Sequence, residues 1–220
     1  MNMHVPIDHV VILVPDLDAA GSAFEAAGFQ VTPQTRHSPA MGTANRCIML
    51  QGGTYPEIMG IVAETPANAP WRRLLSNATG IRGFALRSSD IEVSVQQLVS
   101  RGIAAEPVRH FSRVTNDGEL RFSITRIDPP ATPGLQCLVC QHHTADLLWR
   151  PEAMVHPNGA ASLISVALPH ASSLSAFASD ESSEAIAVAA GAGRLTFAGR
   201  QRQYHDLRSV CGVEIEVISA

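Results

Sequence analysis

Charge is scarce in this chain. Of its 220 residues only 16% are Asp, Glu, Lys or Arg, where an ordinary globular domain carries about a quarter. The formal net charge of -4 leaves no basic excess, so a nucleic-acid interface built on phosphate contacts is not expected. Long apolar runs are missing too. None approaches the roughly 18 residues of a membrane span, and Met1 to Pro6 has neither the charged region nor the apolar core of a signal peptide. The expectation is a cytoplasmic protein with no membrane partner. The 4 cysteines are too few and too scattered for a disulfide scaffold. Cys137 and Cys140 do form a CxxC, but within the strand-like Leu135 to Cys140. Residues three apart on a strand point to opposite faces, so the two thiols cannot grip one ion there and read as small buried hydrophobes. No phosphate loop, nucleotide fingerprint or nucleophilic triad is present.

What the chain does have is apolar residues, 45% of the total, enough for a substantial core. They are arranged in a repeated pattern. Ile7 to Val14 is a strongly apolar strand, and Asp16 then caps a helix whose apolar face is Leu17, Ala20, Phe24 and Ala27, ended by Gly28. Strands are expected at Phe29 to Thr32, Asn45 to Leu50 and Thr54 to Ile61, with a polar flexible segment over Pro33 to Thr43. After a connector with a short helix, the order returns: strand Gly80 to Leu86, capping box Ser89-x-x-Glu92, and a helix bearing Ile91, Val95 and Leu98 that Gly102 ends. Strands then follow at Ala104 to Val108, His110 to Val114, Glu119 to Ile127 and Leu135 to Gln141, with an Asn116-Asp117-Gly118 hairpin turn. A third return is partial. Ala161 to Leu168 is a strand, Ser172 to Ala178 a short helix and Asp180 to Glu184 a polar break; short apolar segments follow at Ala185 to Val188 and Leu195 to Phe197, and a final strand at Val213 to Ile218.

This internal duplication predicts an α+β fold: repeated βαβββ modules forming an open barrel-like sheet around a cavity, with a partial third module at the C-terminus. The units are a first module over 1–64, a connector over 65–79, a second module over 80–141, a loop over 142–160 and the partial module over 161–220, packed on the same domain.

Period-two alternation places His9, Val11 and Leu13 on one strand face, and Tyr55, Glu57, Met59 and Ile61 on another. If both faces line one curved sheet, an imidazole and a carboxylate meet among hydrophobes. A carboxylate on such a face costs free energy unless it is paired or coordinated, although Pro56 leaves an edge strand with Glu57 in water open. Asn45 and Arg46 stand where the flexible loop enters a strand, suited either to clamping a substrate carboxylate or to pinning that loop. His37 lies in the loop and reaches either the cavity mouth or solvent. Arg113 and Arg121 flank the hairpin turn, and either add positive charge to the cavity or lie exposed. His156-Pro157-Asn158-Gly159 has the composition of a tight turn serving the backbone.

Several fragments carry a resemblance: Ile7 to Leu17, Gly42 to Arg46, Tyr55 to Ile58, Gln141 to Thr144, Leu148 to Pro151 and His156 to Ala160. Together they resemble the glyoxalase-like domain family within the vicinal oxygen chelate superfamily, over about residues 7–168. The resemblance implies an open barrel around a small-molecule cavity, a divalent metal (Zn, Fe, Mn, Ni or Mg), and an enzyme of lyase, isomerase or dioxygenase type acting on a small oxygen-rich metabolite. Its alternative is a metal-free protein that sequesters a ligand, as in antibiotic resistance. It implies His9 and Glu57 as metal ligands, with Gln141, His142 and His143 as the candidates for a third, of which His142 is taken, and Glu57 as the catalytic group. The residue reading adds Asn45, Arg46, His37 and Tyr55 as candidates around the substrate. Gly83 stands where the second module would supply another histidine, a departure from the metal pattern. The sheet edges leave a homodimer open.

Overall fold

The computed structural model describes residues 3–115, 118–178 and 186–219. Its first unit is the strand β1 (Met3–Val5), then β2 (Ile7–Val14), the helix α1 (Leu17–Ala26), β3 (Thr35–Arg36), β4 (Thr43–Cys47) and β5 (Tyr55–Ile61). The helix α2 (Ala69–Asn77) leads to the second copy: β6 (Gly80–Arg87), α3 (Ile91–Ser100), β7 (Arg109–Thr115), β8 (Gly118–Arg126) and β9 (Gln136–His142). The rest is β10 (Ala160–Leu168), β11 (Ile186–Ala190), β12 (Arg194–Gly199), β13 (Gln203–Asp206), a single helical turn α4 (Arg208–Cys211) and β14 (Glu214–Ser219).

The two modules share one eight-stranded sheet that curls into a half-barrel, in the order β3-β4-β5-β2-β6-β9-β8-β7. In each copy the last strand returns parallel to the first, β5 on β2 and β9 on β6, while β2 and β6 meet antiparallel at the centre. The helices start where their caps dictate. Asp16 accepts the Ala19 amide, and Asp90 accepts the amides of Glu92 and Val93, so Asp90 caps α3 where the Ser89-x-x-Glu92 box was expected.

Phe29 to Thr32 does not form the expected strand. The Gln30 amide is taken by the His156 ring, and Thr32 bonds Cys47 through both its backbone and its hydroxyl. The strand moves instead to Thr35–Arg36, inside the segment expected to be flexible. Ala104 to Val108 makes only an isolated bridge, Ala105 to Ile127. Residues 116 and 117 of the expected hairpin turn lie outside the described residues, with Thr115 paired to Gly118 across it. Asp180 to Glu184 lies outside them as well.

The C-terminal third repeats strand and helical turn but builds a second sheet. β11 pairs parallel with β10 directly, and the order is β1-β11-β10-β12-β14-β13. This sheet covers the convex side of the half-barrel through α1: Phe29 meets Phe24 at 5.8 Å and Phe197 of β12 at 5.0 Å. One continuous core results, running from Val10, Ile12 and Val14 through Phe24 to Leu195, Phe197, Ile215 and Val217. His156 and Asn158 tie the halves, binding Gln30 and Met49 through the imidazole and Ala27 through the amide, which is the backbone role expected of that turn.

The concave side is roofed from two directions. Trp71, Leu74 and Leu75 of α2 lie on Val11, Leu13 and Met59. Leu148, Trp149, Ala153 and Met154 lie on Cys47, Met49 and Tyr55. Among the described residues no helix is long and apolar enough to cross a membrane.

Candidate functional site

Between the two roofs the concave face carries polar groups. Asp8, His9, Asn45 and Glu57 are exposed to only 2%, 7%, 8% and 6%. Alternation brings most of them inward: His9 pairs with Tyr55, Cys47 with Glu57, and Asn45 with Met59. Asp8 should point the other way. Between Ile7 and His9, however, β2 advances two residues while β6 advances one. This bulge turns Asp8 to the same side as its neighbour.

His9 therefore sits between two acids. Its Nδ1 lies 2.7 Å from Asp8 Oδ1 and its Nε2 3.4 Å from Glu57 Oε2. Glu57 Oε1 accepts a hydrogen bond from Asn45 Nδ2 at 2.8 Å, and His37 Nε2 approaches the same oxygen to 3.7 Å. His37 is fixed by Thr43, whose hydroxyl lies 2.6 Å from its Nδ1. Tyr55 stacks on the His9 ring with centroids 4.6 Å apart.

The electrostatics follow from burial and pairing. Burial opposes the charge on Asp8, but hydrogen bonds from His142 and His9, helped by their positive charge, outweigh it and bring the carboxyl down to about 2. An ionised carboxylate only accepts, so both imidazoles donate to it. Burial likewise opposes the His9 imidazolium, yet the Asp8 bond and the Glu57 and Asp8 charges raise its pKa above the usual value. Burial pushes the Cys140 thiol well above its ordinary range, with Asp8 and Glu57 adding to the effect.

Two sequence expectations are redirected. Arg46 does not join the concave face. Its neighbours Asn45 and Cys47 face inward, so Arg46 faces outward over α1, where it bonds the Thr32 carbonyl and the Glu25 carboxylate. His142 does face inward but stands on Asp8, with Nε2 3.1 Å from Oδ1 and 3.6 Å from Cys140 Sγ, away from the His9–Glu57 contact. Cys137 and Cys140 are both buried on opposite faces, as alternation requires, in separate clusters. Of the two hairpin arginines, Arg113 shares the concave face with Phe111 and Phe122, while Arg121 is exposed. Sequence reasoning missed Asp8, because only the bulge turns it inward.

Paired βαβββ modules curled into a half-barrel with polar groups on its concave face define the glyoxalase and vicinal oxygen chelate class. A glyoxalase-like domain model matches residues 7–180, and the chain belongs to that family. A hypothetical protein from Staphylococcus aureus superposes with a TM-score of 0.72 at 12% identity, covering 97% of this chain and 99% of that one. A methylmalonyl-CoA epimerase of Streptomyces coelicolor, in complex with 2-nitronate-propionyl-CoA, aligns over 62% of this chain and 96% of its own, at 21% identity and a TM-score of 0.48. The epimerase of Mycobacterium tuberculosis aligns over 63% and 88%, at 20% and 0.48. No curated protein sequence matches.

Members of the superfamily commonly bind divalent metals, and the donor sets here can be tested against one. The second module offers nothing at the positions matching His9 and Glu57, which are Gly83 and Leu138. The Gly83 notch is filled: a Cβ there would stand 2.7 Å from both the Gln136 carbonyl oxygen and Trp71 Cη2. A centre drawing equal ligands from both modules does not fit. Asp8, Cys140 and His142 fit better, because their donor atoms all lie within 4.8 Å of one another. Their separations resemble the edges between ligands held about 2.0–2.3 Å from one ion.

The filled notch carries a prediction. Gly83→Ala should destabilise the protein by about 1–3 kcal/mol through overpacking and shift tryptophan emission to the red as Trp71 is pushed toward water. An unchanged melting temperature and spectrum would show that the notch has room to spare.

Proposed function

We propose that the protein is a glyoxalase-like enzyme of lyase or isomerase type, which moves a proton at a carbon beside an oxygen function of a small oxygen-rich metabolite. The observation that carries this reading is the state of Glu57. One of its oxygens is pinned by Asn45, and the other is left to face His9 in a site nearly closed to water. A buried carboxylate of that kind is the general base. Asn45 orients it, and His9, aligned by Asp8 and by stacking on Tyr55, takes or returns the proton across the 3.4 Å gap to Glu57. His37, held by Thr43, faces the substrate from the loop side. A divalent ion held by Asp8, Cys140 and His142 would supply Lewis-acid polarisation of a substrate oxygen.

Two measurements test this. The protein, purified without chelator, is incubated in D2O with small 2-oxo and 2-hydroxy compounds, both charged and neutral, and carbon-bound deuterium is followed. Exchange with at least one of them is expected. Bound metal is measured in parallel and should fall in Cys140→Ser and His142→Ala; equal content in all three proteins would remove that ligand set.

A second reading, a metal-free binder that sequesters its ligand, is favoured by the missing donors at Gly83 and Leu138. It predicts no exchange across the panel and ligand-dependent stabilisation that chelator leaves untouched.

A further inference from the structure

The acids of the concave face have cationic counterparts on the far strands. Arg113 of β7 pairs with Leu120 of β8, and Arg109 with Ile124. Alternation then sets Arg113 and Arg126 on the same inward side as Phe111, Phe122 and Ile124. Both arginines are only partly exposed.

Among the described residues neither guanidinium has a full set of acceptors. Arg113 Nε is shut off from solvent and has no hydrogen-bond partner among the described residues. Arg126 Nη2 reaches the Met41 sulfur at 3.2 Å, and a thioether is a weak acceptor. Burial holds Arg126 below its usual pKa, with Arg109 adding to that and Glu106 opposing it. Both charges bear on the groups around Glu57. Burial lowers the His37 pKa, Glu57 pulls it back up, and Arg113, His9 and Arg126 lower it further. Arg113 also acts on Cys47, beside Glu57 in the register. Structural arginines elsewhere in this chain find acceptors: Arg194 bonds Glu214 through two nitrogens, and Arg72 bonds Asn68 and Glu64. An under-bonded pair on the concave face is a pair of donors awaiting an acceptor.

We infer that Arg113 and Arg126 form the anion-binding end of the concave site, and that its ligand is a small organic carboxylate. A carboxylate is planar and accepts two N–H groups in the fork a guanidinium presents. One of its oxygens would give Arg113 Nε an acceptor. With the acid head on the arginines, the oxygen-bearing carbon next to it points back toward Glu57. The last step rests on the proton-transfer reading above; the anion site itself does not.

The test uses glycolate, malonate and succinate as probes, with malonamide as the uncharged control and inorganic phosphate as a third arm, all at one ionic strength. Thermal shift and titration calorimetry are read on the full chain. At least one carboxylate should stabilise the wild type while malonamide does not, and Arg113→Gln and Arg126→Gln should each weaken its binding tenfold or more. Ligand-free Arg113→Gln should melt no lower than wild type, because the lost Nε bonded nothing. A lower melting temperature would assign Arg113 a structural role and overturn the inference. So would equal binding by the variants, no stabilisation by any of the three carboxylates, or phosphate binding tenfold tighter than all of them. Glu57→Gln separates the two readings. It should keep or improve carboxylate binding, since a repelling charge is gone. In the wild type, carboxylate binding with no deuterium exchange in any compound sinks the enzyme alone; exchange confined to neutral compounds, with no carboxylate binding, sinks the carboxylate alone.

Discussion

Asp8→Ala is expected to remove about 3–5 kcal/mol of stability, the cost of breaking a buried charged pair by deleting one partner. At about 2–4 °C per kcal/mol for a chain of this size, the melting temperature should drop by roughly 10 °C. The reason is that Asp8 is the acceptor for the buried His9 imidazole at 2.7 Å and the half-buried His142 at 3.1 Å, and alanine takes that acceptor from both N–H groups. Asp8→Asn keeps an acceptor oxygen and should cost less.

The same residue sets the acid limb. Its carboxyl is lowered from 3.8 to about 2 in the fold, so its contribution is complete above pH 3.8 and is lost as pH falls toward 2. That amounts to about 2 kcal/mol by linkage. His9 runs the other way. Its raised pKa gives stability present below its unfolded value of 6.5 and lost as pH rises through the folded one. Denaturant midpoints across pH should therefore fall on both flanks for wild type, and Asp8→Asn should flatten the acid flank. An identical acid flank in both proteins would contradict the pairing.

Glu57→Gln should leave the fold close to intact and reduce deuterium exchange by about 10²–10⁴-fold, the usual contribution of a positioned base. Glutamine retains an oxygen to accept the Asn45 bond and fills the same volume, but cannot take a proton at neutral pH. A variant exchanging at the wild-type rate would transfer the base to another group.

Much of this was legible in the chain because period two is a strong constraint. Ile7 to Val14 and Thr54 to Ile61 put His9 and Glu57 on matched faces, and the structure brings them to 3.4 Å. The same rule, applied strictly, also separates Asn45 from Arg46: adjacent strand residues cannot both face a cavity, and Arg46 went outward to Glu25. What could not be read was the register. The bulge that turns Asp8 inward depends on how β2 meets β6, a long-range pairing with no local signature. Which of His142 and His143 faces inward was left open by alternation alone, and the partner His142 meets depends on that bulge. The fate of Phe29 to Thr32 was hidden for a similar reason, since the competing acceptor, His156, lies far along the chain. Arg113 and Arg126 could be assigned a side only once the β7–β8 pairing was known.

The notch at Gly83 has a consequence for how the duplicated halves diverged. With Trp71 seated where one half keeps its histidine, and a backbone oxygen as close as the ring, no single exchange at that position can rebuild a matching set of donors. The copies have become complementary parts: the first keeps His9 and Glu57, while the second presents a wall at the matching positions and sets Cys140 and His142 beside Asp8. Symmetry survives in the backbone and in the helix caps, Asp16 and Asp90.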